Sequence, residues 1–321
     1  MAGPNSMLQA LWSDTISKSA LAQLAGMVDG GGTVYYVDDV HANASDSNAG
    51  TDRNRPFNTL TAAITASEVD RQARSNVYTR NTIYVIANGG YAGGTIDGYA
   101  ITEMPQYTNL IGVGANPWGS GSGIATIIGT NATVGTVRGL YAENLMFEVP
   151  VAGAGYYGLY LTHCLRSKFY NCAFMGANTG SSDPGGGLYI SGSAGGMDVI
   201  HCKFNSNLLA LDYGIRGAAS NFNSCNIEDN SIFASVCGIY NVSPGTDGGT
   251  IIKNNVIAHG PWNAGYELAT GVQCTGGGNA AMVIGNYIAA TDAINHSQAD
   301  RCCIDNHIIQ TGTGAIELVS T

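Results

Sequence analysis

A short phrase returns along the chain, and it constrains the fold more than any other feature. One position of the phrase, here called the slot, holds an apolar, thiol or amide side chain: Leu145, Cys172, Cys202, Cys225, Asn255, Asn286 and Asn306. Two residues after each slot comes a large apolar residue: Phe147, Phe174, Phe204, Ile227, Ile257, Ile288 and Ile308. The slots lie 20 to 31 residues apart. Self-similarity at such a period is the signature of a solenoid.

A second phrase keeps step with the first. It reads GLY at 139–141, 158–160 and 187–189, GIY at 238–240, GVQ at 271–273, AIN at 293–295 and GAI at 314–316. Apolar residues alternate with a period of two in both phrases, which indicates strands. No segment between 139 and 321 has sustained helical spacing. The chain is therefore predicted to be an all-β, single-stranded parallel β-helix, right-handed because parallel crossovers almost always are.

Equivalent side chains of successive coils are expected to stack on one another. Cys172, Cys202 and Cys225 would then form one column of small buried thiols. The asparagines of the later slots would form an amide ladder at a corner, each side chain bonding to the next coil. The eight cysteines are too few for a disulfide scaffold, and they lack the paired spacing of a zinc site.

Composition excludes several classes of partner. The net charge is -10, and an acidic surface repels phosphate backbones and anionic lipids, so neither nucleic acid nor membrane insertion is predicted. No run approaches 18 consecutive apolar residues. The first residues lack the basic and apolar regions of a secretory signal, which predicts folding in a cytoplasm.

The first third of the chain differs from the repeat. Residues 1–30 are predicted to be a helical attachment segment, with an amphipathic stretch over 6–28 that either docks on a partner or covers the first coil. Residues 31–321 are predicted to be the β-helix domain. Within it, a helix at about 58–67 follows Pro56, and regular coils run over about 81–321.

The opening of this domain carries a family resemblance. In order it reads YYVD, SDSNAGT, PFNTLTAAI, TIYV and LIGVG. This order resembles the start of right-handed parallel β-helix proteins of the pectate-lyase-like superfamily, which includes bacteriophage tailspikes and polysaccharide-degrading enzymes. The resemblance covers residues 33–114 by phrase and 139–321 by repeat. It implies that the helix at about 58–67 caps the open end of the solenoid, and the likeness to tailspikes implies a homotrimer.

One loop has a pattern that calcium also uses. Asp46, Asn48 and Asp52 have the spacing of the first half of a calcium loop, but Phe57 stands where the bidentate carboxylate would be. Asp and Asn also form such loops through their own turns. Calcium at these three residues is one prediction, and a loop without metal is the other. No further cofactor is predicted.

Candidate catalytic acids are sparse and scattered. Glycan hydrolysis needs two carboxylates across a sugar, and a lyase needs a base with a charge neutraliser. Most acids of the repeat lie singly beside Gly or Asn, as turn formers do. The best pair is Asp212 with Glu228 or Asp247, from successive coils.

Two functional hypotheses follow. The main prediction is a bacteriophage virion protein (a spike, fibre or capsid-decoration subunit) that folds in the host cytoplasm and binds other virion proteins through residues 1–30. It would be a structural protein and not an enzyme, although surface aromatic residues could bind host polysaccharide. The alternative is an extracellular polysaccharide depolymerase, a hydrolase or lyase, that works from a groove on the β-helix face with the acids above. Fold alone does not decide between the two hypotheses. The coils carry no long inserted loop that could form a catalytic cleft, which favours the first hypothesis.

Overall fold

The structure is a computed structural model. It describes residues 32–74, 80–87, 91–92, 95–96, 98–114, 117, 124–128, 134–148, 156–176, 185–206, 211–217, 222–241, 249–259, 267–274, 281–296 and 303–310. The predicted attachment segment, residues 1–30, lies outside the described residues. Within the described part of the chain, no helix has the length and apolar character needed to cross a bilayer.

Thirty strands make up most of the regular secondary structure of the described residues. In chain order they are β1 (Val34–Val37), β2 (Asn81–Ile86), β3 (Tyr91–Ala92), β4 (Thr95–Ile96), β5 (Tyr99–Ala100), β6 (Thr108–Val113), β7 (Thr126–Ile128), β8 (Thr136–Arg138), β9 (Tyr141–Glu143), β10 (Met146–Glu148), β11 (Tyr157–Leu161), β12 (His163–Leu165), β13 (Lys168–Tyr170), β14 (Ala173–Gly176), β15 (Gly186–Ile190), β16 (Ala194–Gly195), β17 (Asp198–Ile200), β18 (Lys203–Ser206), β19 (Leu211–Gly217), β20 (Phe222–Asn223), β21 (Asn226–Glu228), β22 (Ser231–Asn241), β23 (Ile251–Lys253), β24 (Val256–Ala258), β25 (Thr270–Cys274), β26 (Met282–Ile284), β27 (Tyr287–Ala290), β28 (Asp292–His296), β29 (Cys303–Ile304) and β30 (His307–Gln310).

Parallel pairing joins the strands into the walls of a solenoid. Wall A is a ten-stranded sheet in the order β1-β2-β6-β9-β13-β17-β21-β23-β26-β29. A fourteen-stranded sheet supplies wall B (β5, β7, β10, β14, β18, β22, β24, β27, β30) and wall C (β11, β15, β19, β22, β25, β28). Wall D is a four-stranded sheet, β8-β12-β16-β20. Strand β22 belongs to two walls, because its first residues pair with β18 and β24 and its last with β19 and β25.

One helix, α1 (Leu60–Ala73), packs against the first strands of wall A. Thr59 caps it, since the Thr59 hydroxyl accepts a hydrogen bond from the backbone N–H of Ala62. Its buried residues are Leu60, Ala63, Ile64 and Ser67. The helix starts close to the predicted position and runs beyond residue 67. Strand β1 pairs in parallel with β2, within the β-helix domain predicted from residue 31 and ahead of the regular coils predicted over about 81–321.

The core is a set of stacked columns that run along the solenoid. On the inner side of wall B, the Phe147 and Phe174 rings lie 5.1 Å apart, and the Phe174 and Phe204 rings lie 4.6 Å apart and almost parallel. The column continues in register through Ile232, Ile257, Ile288 and Ile308. The predicted stacking of like on like is confirmed. Ile227 was assigned to this column wrongly, because it pairs with Val199 and Ile252 in wall A.

A two-residue corner links wall A to wall B in seven coils. Its first residue has left-handed backbone, with φ between 49° and 62°, at Asn144, Asn171, His201, Asp229, Asn254, Gly285 and Asp305. Its second residue is the slot, held by Leu145, Cys172, Cys202, Asn230, Asn255, Asn286 and Asn306. Cys172 and Cys202 therefore stack as predicted, and both are fully buried. The fourth slot belongs to Asn230, so its assignment to a third cysteine was wrong.

Cys225 lies one corner away, between walls D and A. Its coil neighbours are Met197 and Thr250, as shown by backbone hydrogen bonds from Asn226 to Met197 and from Ile251 to Cys225. The error has a physical cause. The corner between walls D and A repeats the same local pattern, with left-handed Ser224 (φ 52°) before the inward residue. Two corners with one local geometry look alike in sequence.

The amide ladder is confirmed and is one residue longer than predicted. Asn230, Asn255, Asn286 and Asn306 stack so that each Nδ2 donates to the next Oδ1 over 2.9 Å. Each Oδ1 also accepts the backbone N–H of the residue one coil before, over 2.9 to 3.0 Å. Buried amides are stable only when such partners exist, so the ladder fixes the register of the last coils.

The second phrase forms wall C, with two corrections. Its glycine column comprises Gly158, Gly187, Gly214, Gly238 and Gly271. The copy at 214–216 (GIR) was missed, the copy at 139–141 lies at the corner between walls D and A, and the copy at 314–316 lies outside the described residues. Glycine is needed for close approach, since a Cβ at Gly238 would lie 2.4 Å from Ile257 Cγ2.

Candidate functional site

The predicted catalytic acids are not gathered in one place. Asp212 lies in β19 on wall C, Glu228 lies in β21 on wall A, and Asp247 is outside the described residues. Glu228 Oε1 is 2.6 Å from Lys253 Nζ, and its Oε2 accepts a hydrogen bond from Asn226. The bond from Lys253 is the main reason that the pKa of Glu228 is lowered. Glu228 is therefore held as a carboxylate, which does not suit a proton donor.

The outer side of wall A is a ladder of charged side chains around Glu228. The Tyr141 hydroxyl donates to Glu143, and Lys168 lies over the Tyr170 ring at 5.5 Å. Burial raises the pKa of Asp198, while Lys168 opposes the rise. These groups satisfy one another along the ladder, as on a solvated sheet face.

The candidate calcium loop is occupied by its own hydrogen bonds. Asp46 accepts bonds from the backbone N–H groups of Asn58 and Thr59 and from the Thr59 hydroxyl, over 2.8 to 3.0 Å. Asn48 Nδ2 donates to the carbonyl of Pro56, and Asp52 Oδ1 accepts from the N–H of Asn54. The loop thus holds the start of α1. Among the described residues no three His, Cys, Asp or Glu side chains form a metal cluster. Calcium at this loop stays a prediction, and calcium there would have to replace these bonds.

The outer side of wall C carries a group of aromatic residues that sequence reasoning did not assemble. Here called the tyrosine face, it comprises Tyr157, Tyr160, Tyr189, Tyr213, Arg216 and Tyr240. Four of them are aligned in register on successive coils, in the order Tyr160, Tyr189, Arg216 and Tyr240. Gln273 and Asn295 continue the column on the next two coils. All four aligned residues are half-buried, so their outer edges meet solvent.

The rings of the first two coils pack closely. Tyr189 lies 4.6 Å from Tyr157, nearly parallel, and 4.6 Å from Tyr160 at a tilt of 41°. Gly186 makes room for this packing, since a Cβ there would lie 2.3 Å from Tyr157 Cε1. Glycine is therefore required at position 186 of the tyrosine face, because any side chain there would displace the Tyr157 ring.

Arg216 lies at the centre of the face. Its guanidinium carbon is 4.4 Å from the centroid of the Tyr213 ring, 5.3 Å from Tyr189 and 5.8 Å from Tyr240. Its Nη1 donates a hydrogen bond of 2.6 Å to the Tyr157 hydroxyl. Burial raises the pKa of Tyr157, and this bond from Arg216 opposes the rise. The Tyr157 hydroxyl therefore stays neutral at physiological pH while the guanidinium stays charged.

The strands beneath hold the face rigid. The residues between the outward side chains point inward and are almost fully buried, namely Leu159, Leu188, Ile215 and Ile239. A face built on paired strands keeps its rings in place before a ligand arrives. Sequence reasoning missed it because the GIR copy at 214–216 was left out of the repeat. The signal was the tyrosine in the third position of the GLY and GIY copies.

Comparison with known proteins bears on the fold. No family model matches the chain, and no curated protein matches it. Among solved structures, a pectin methylesterase from Aspergillus niger in penultimately deglycosylated form matches with a TM-score of 0.50 and 14% identity, covering 88% of this chain and 87% of that chain. The chain is a right-handed parallel β-helix. A deglycosylated form of the same enzyme matches with a TM-score of 0.47. At 14% identity the likeness of the β-helix concerns the fold alone, and it transfers no site residue.

Proposed function

We propose that this β-helix binds polysaccharide through the tyrosine face. The observation that carries the proposal is the alignment of Tyr160, Tyr189, Arg216 and Tyr240 on the outer side of successive coils. Neighbouring coils are ~4.8 Å apart. A chain of sugar rings advances by a similar step, so a glycan that lies along the solenoid axis meets a new side chain at each coil.

The chemistry of the face suits sugars. A tyrosine ring offers a flat apolar surface to the C–H groups of a pyranose, and its hydroxyl donates to or accepts from sugar hydroxyls. Gln273 and Asn295 add amides along the same column. Each contact is weak alone, so affinity should rise with glycan length until the column is covered.

The placement of the predicted catalytic acids favours glycan binding over glycan cleavage. Asp212 and Glu228 lie on different walls, and Glu228 is paired with Lys253. The fold neighbour is by name a pectin methylesterase, which is consistent with work on polysaccharides by proteins of this fold. The depolymerase remains the alternative proposal, and the same experiment tests it.

A further proposal concerns the particle to which the protein belongs, and it rests on the resemblance to tailspikes alone. In this proposal the chain is a homotrimeric virion protein, bound to other virion proteins through residues 1–30. Glycan binding would then serve attachment to a host surface. Detection of the protein in purified particles is the direct test.

The binding test compares two faces of one protein. Wild type, Tyr189→Ala and Tyr240→Ala are titrated calorimetrically with a panel of soluble polysaccharides, and circular dichroism verifies folding. Tyr141→Ala on wall A is the matched control. We expect the face variants to bind at least tenfold more weakly and the control to bind like wild type. Failure of wild type to bind any glycan, or an equal loss in the control, overturns the proposal. New reducing ends or unsaturated products would establish the depolymerase instead.

A further inference from the structure

We infer that the tyrosine face is built for an acidic glycan, and that Arg216 binds the anionic group of one sugar residue. The inference rests on the proposed polysaccharide binding and adds the class of ligand. A uronate carboxylate is the first source of such a group, and a sulfate ester is the second.

The hydrogen bonds of Arg216 leave one nitrogen for a ligand. Nη1 donates to the Tyr157 hydroxyl, and Nε is buried beneath the rings with no acceptor. No described residue accepts a hydrogen bond from Nη2, and Nη2 is not among the buried polar atoms that lack a partner. A guanidinium carries N–H donors in a fixed plane that matches carboxylate and sulfate oxygens. Nη2 is therefore the donor that faces outward.

The Arg216 guanidinium also forms no ion pair with a carboxylate in the described part of the chain. Three other described Lys and Arg side chains pair with carboxylates: Arg71 with Glu68, Arg74 Nη2 at 2.6 Å from Asp70, and Lys253 Nζ at 2.6 Å from Glu228. Arg216 contacts rings instead, although acidic residues outnumber Lys and Arg by 23 to 13 in the sequence. In such an acidic chain, a guanidinium surrounded by tyrosines fits an anion that comes from outside.

Nearby groups support recognition of an anion. The Tyr157 hydroxyl accepts the bond from Arg216, so its own proton is available for a second acceptor. The rings exclude water from one side of the guanidinium, which strengthens an ion pair made on the other side. Asp212 is the opposing charge in this region, since its carboxylate contributes to the raised pKa of Tyr213 and would repel an anion. The Asp212 carboxylate accepts a bond of 3.4 Å from the Ser235 hydroxyl.

The test uses glycans that differ in charge alone. A polyuronate, the same polymer after reduction of its carboxyl groups, and a sulfated derivative of the reduced polymer are titrated into wild type and Arg216→Gln. Lys253→Gln removes one cation from wall A and is the matched control. We expect wild type to bind the polyuronate at least tenfold more tightly than the reduced polymer. Arg216→Gln should lose this preference and still bind the reduced polymer within about threefold of wild type, since the rings remain.

The outcomes separate the inference from the proposed function. Equal binding of charged and reduced polymers by wild type overturns the inference and leaves polysaccharide binding intact. Preference for the sulfated polymer alone supports the inference with sulfate as the source. The same loss of preference in Lys253→Gln overturns it, because overall charge would then explain the effect. Absence of binding to all three polymers, when neutral glycans of the panel also fail, removes both proposals.

Discussion

Asn255 shows how a single buried amide holds two coils in register. Its Nδ2 donates to the carbonyl of Ile227 and to Asn286 Oδ1, and its own Oδ1 accepts from the N–H and the Nδ2 of Asn230. The side chain is completely buried. Every polar atom of the amide is thus satisfied by the coil before or the coil after, which makes it hard to replace.

Replacing Asn255 with alanine should destabilise the fold by about 3 kcal/mol, because donors of Asn230 and an oxygen of Ile227 lose their partners inside the core. Urea unfolding followed by circular dichroism measures the change. Asn254→Gly is the control, since Asn254 is exposed and its left-handed backbone (φ 55°) suits glycine. A loss below 1 kcal/mol for Asn255→Ala would show that the ladder contributes little.

At the scale of single residues, the sequence predicts which residue types stack in a column better than it predicts which positions belong to that column. The three later asparagines were recognised as a ladder, whereas Asn230 was passed over for Cys225. Both residues follow a left-handed corner residue, Asp229 in one case and Ser224 in the other. Only the pairing of whole strands tells which corner is which, and that information is not local.

On the outer side of wall B, strand β10 places a carboxyl among apolar side chains. Glu148 is 3% exposed, and its Oε1 has no hydrogen-bond partner among the described residues. Its neighbours in register are Ile128 and Met175, and the apolar cluster of Met146 and Met175 lies on the same side of the wall. Burial raises the pKa of Glu148 from its ordinary value of 4.5 to about 7.

Because the folded pKa lies above the unfolded one, the folded protein binds the proton more tightly between pH 4.5 and 7. The contribution of Glu148 to stability is therefore intact below about pH 4.5 and falls as the pH rises to about 7. Glu148→Gln should match wild type near pH 4 and exceed it by about 3 kcal/mol at pH 8. Denaturant unfolding at both pH values measures this. A difference that does not change with pH contradicts the assignment.

Strands were predictable where apolar side chains alternate regularly with a period of two. They were less predictable where one strand belongs to two walls. Most strands of wall C follow from the GLY phrase, but β19 does not, because its GIR copy was missed. Strand β22 runs from wall B into wall C without a break, so its first half was not recognised as a copy of the first phrase. The tyrosine face escaped prediction for a related reason, since its central residue, Arg216, stands where other copies have tyrosine or glutamine.

Most of the described cysteines lie inside the solenoid. Six described cysteines are buried, namely Cys164, Cys172, Cys202, Cys225, Cys237 and Cys274, and Cys303 is half-buried. Burial raises the pKa of the Cys164, Cys202, Cys225 and Cys237 thiols, that of Cys225 to about 11. A thiol reagent acts on the thiolate and needs access to it, so the closed stack protects these groups.

Labelling with a thiol reagent at pH 8 should therefore modify Cys303 well before the six buried cysteines. The buried ones should react together, at the rate at which the stack opens, because each coil is held by its neighbours. Mass spectrometry of the labelled peptides gives the order, and complete labelling in urea is the control. Rapid modification of Cys172 or Cys202 in native buffer would show that the coils open individually.

For the molecule as a whole, the repeat predicted the architecture, whereas the tyrosine face depends on which side chains share an outer face. Tyr160 and Tyr240 are 80 positions apart in the sequence yet belong to one column. Their alignment depends on the length of every coil between them. Composition and charge set limits on the class of partner, and the paired strands assemble the face.

The constant two-residue corner between walls A and B has a practical consequence for anyone who grafts foreign peptides onto this scaffold. Seven coils turn there with the same backbone, so an added residue would shift every later layer. The link from wall B to wall C differs in length from coil to coil, from none within β22 to the stretch between Ala258 and Thr270. Natural variation and engineered cargo should both be tolerated at that edge, beside the tyrosine face, without disturbing the stack.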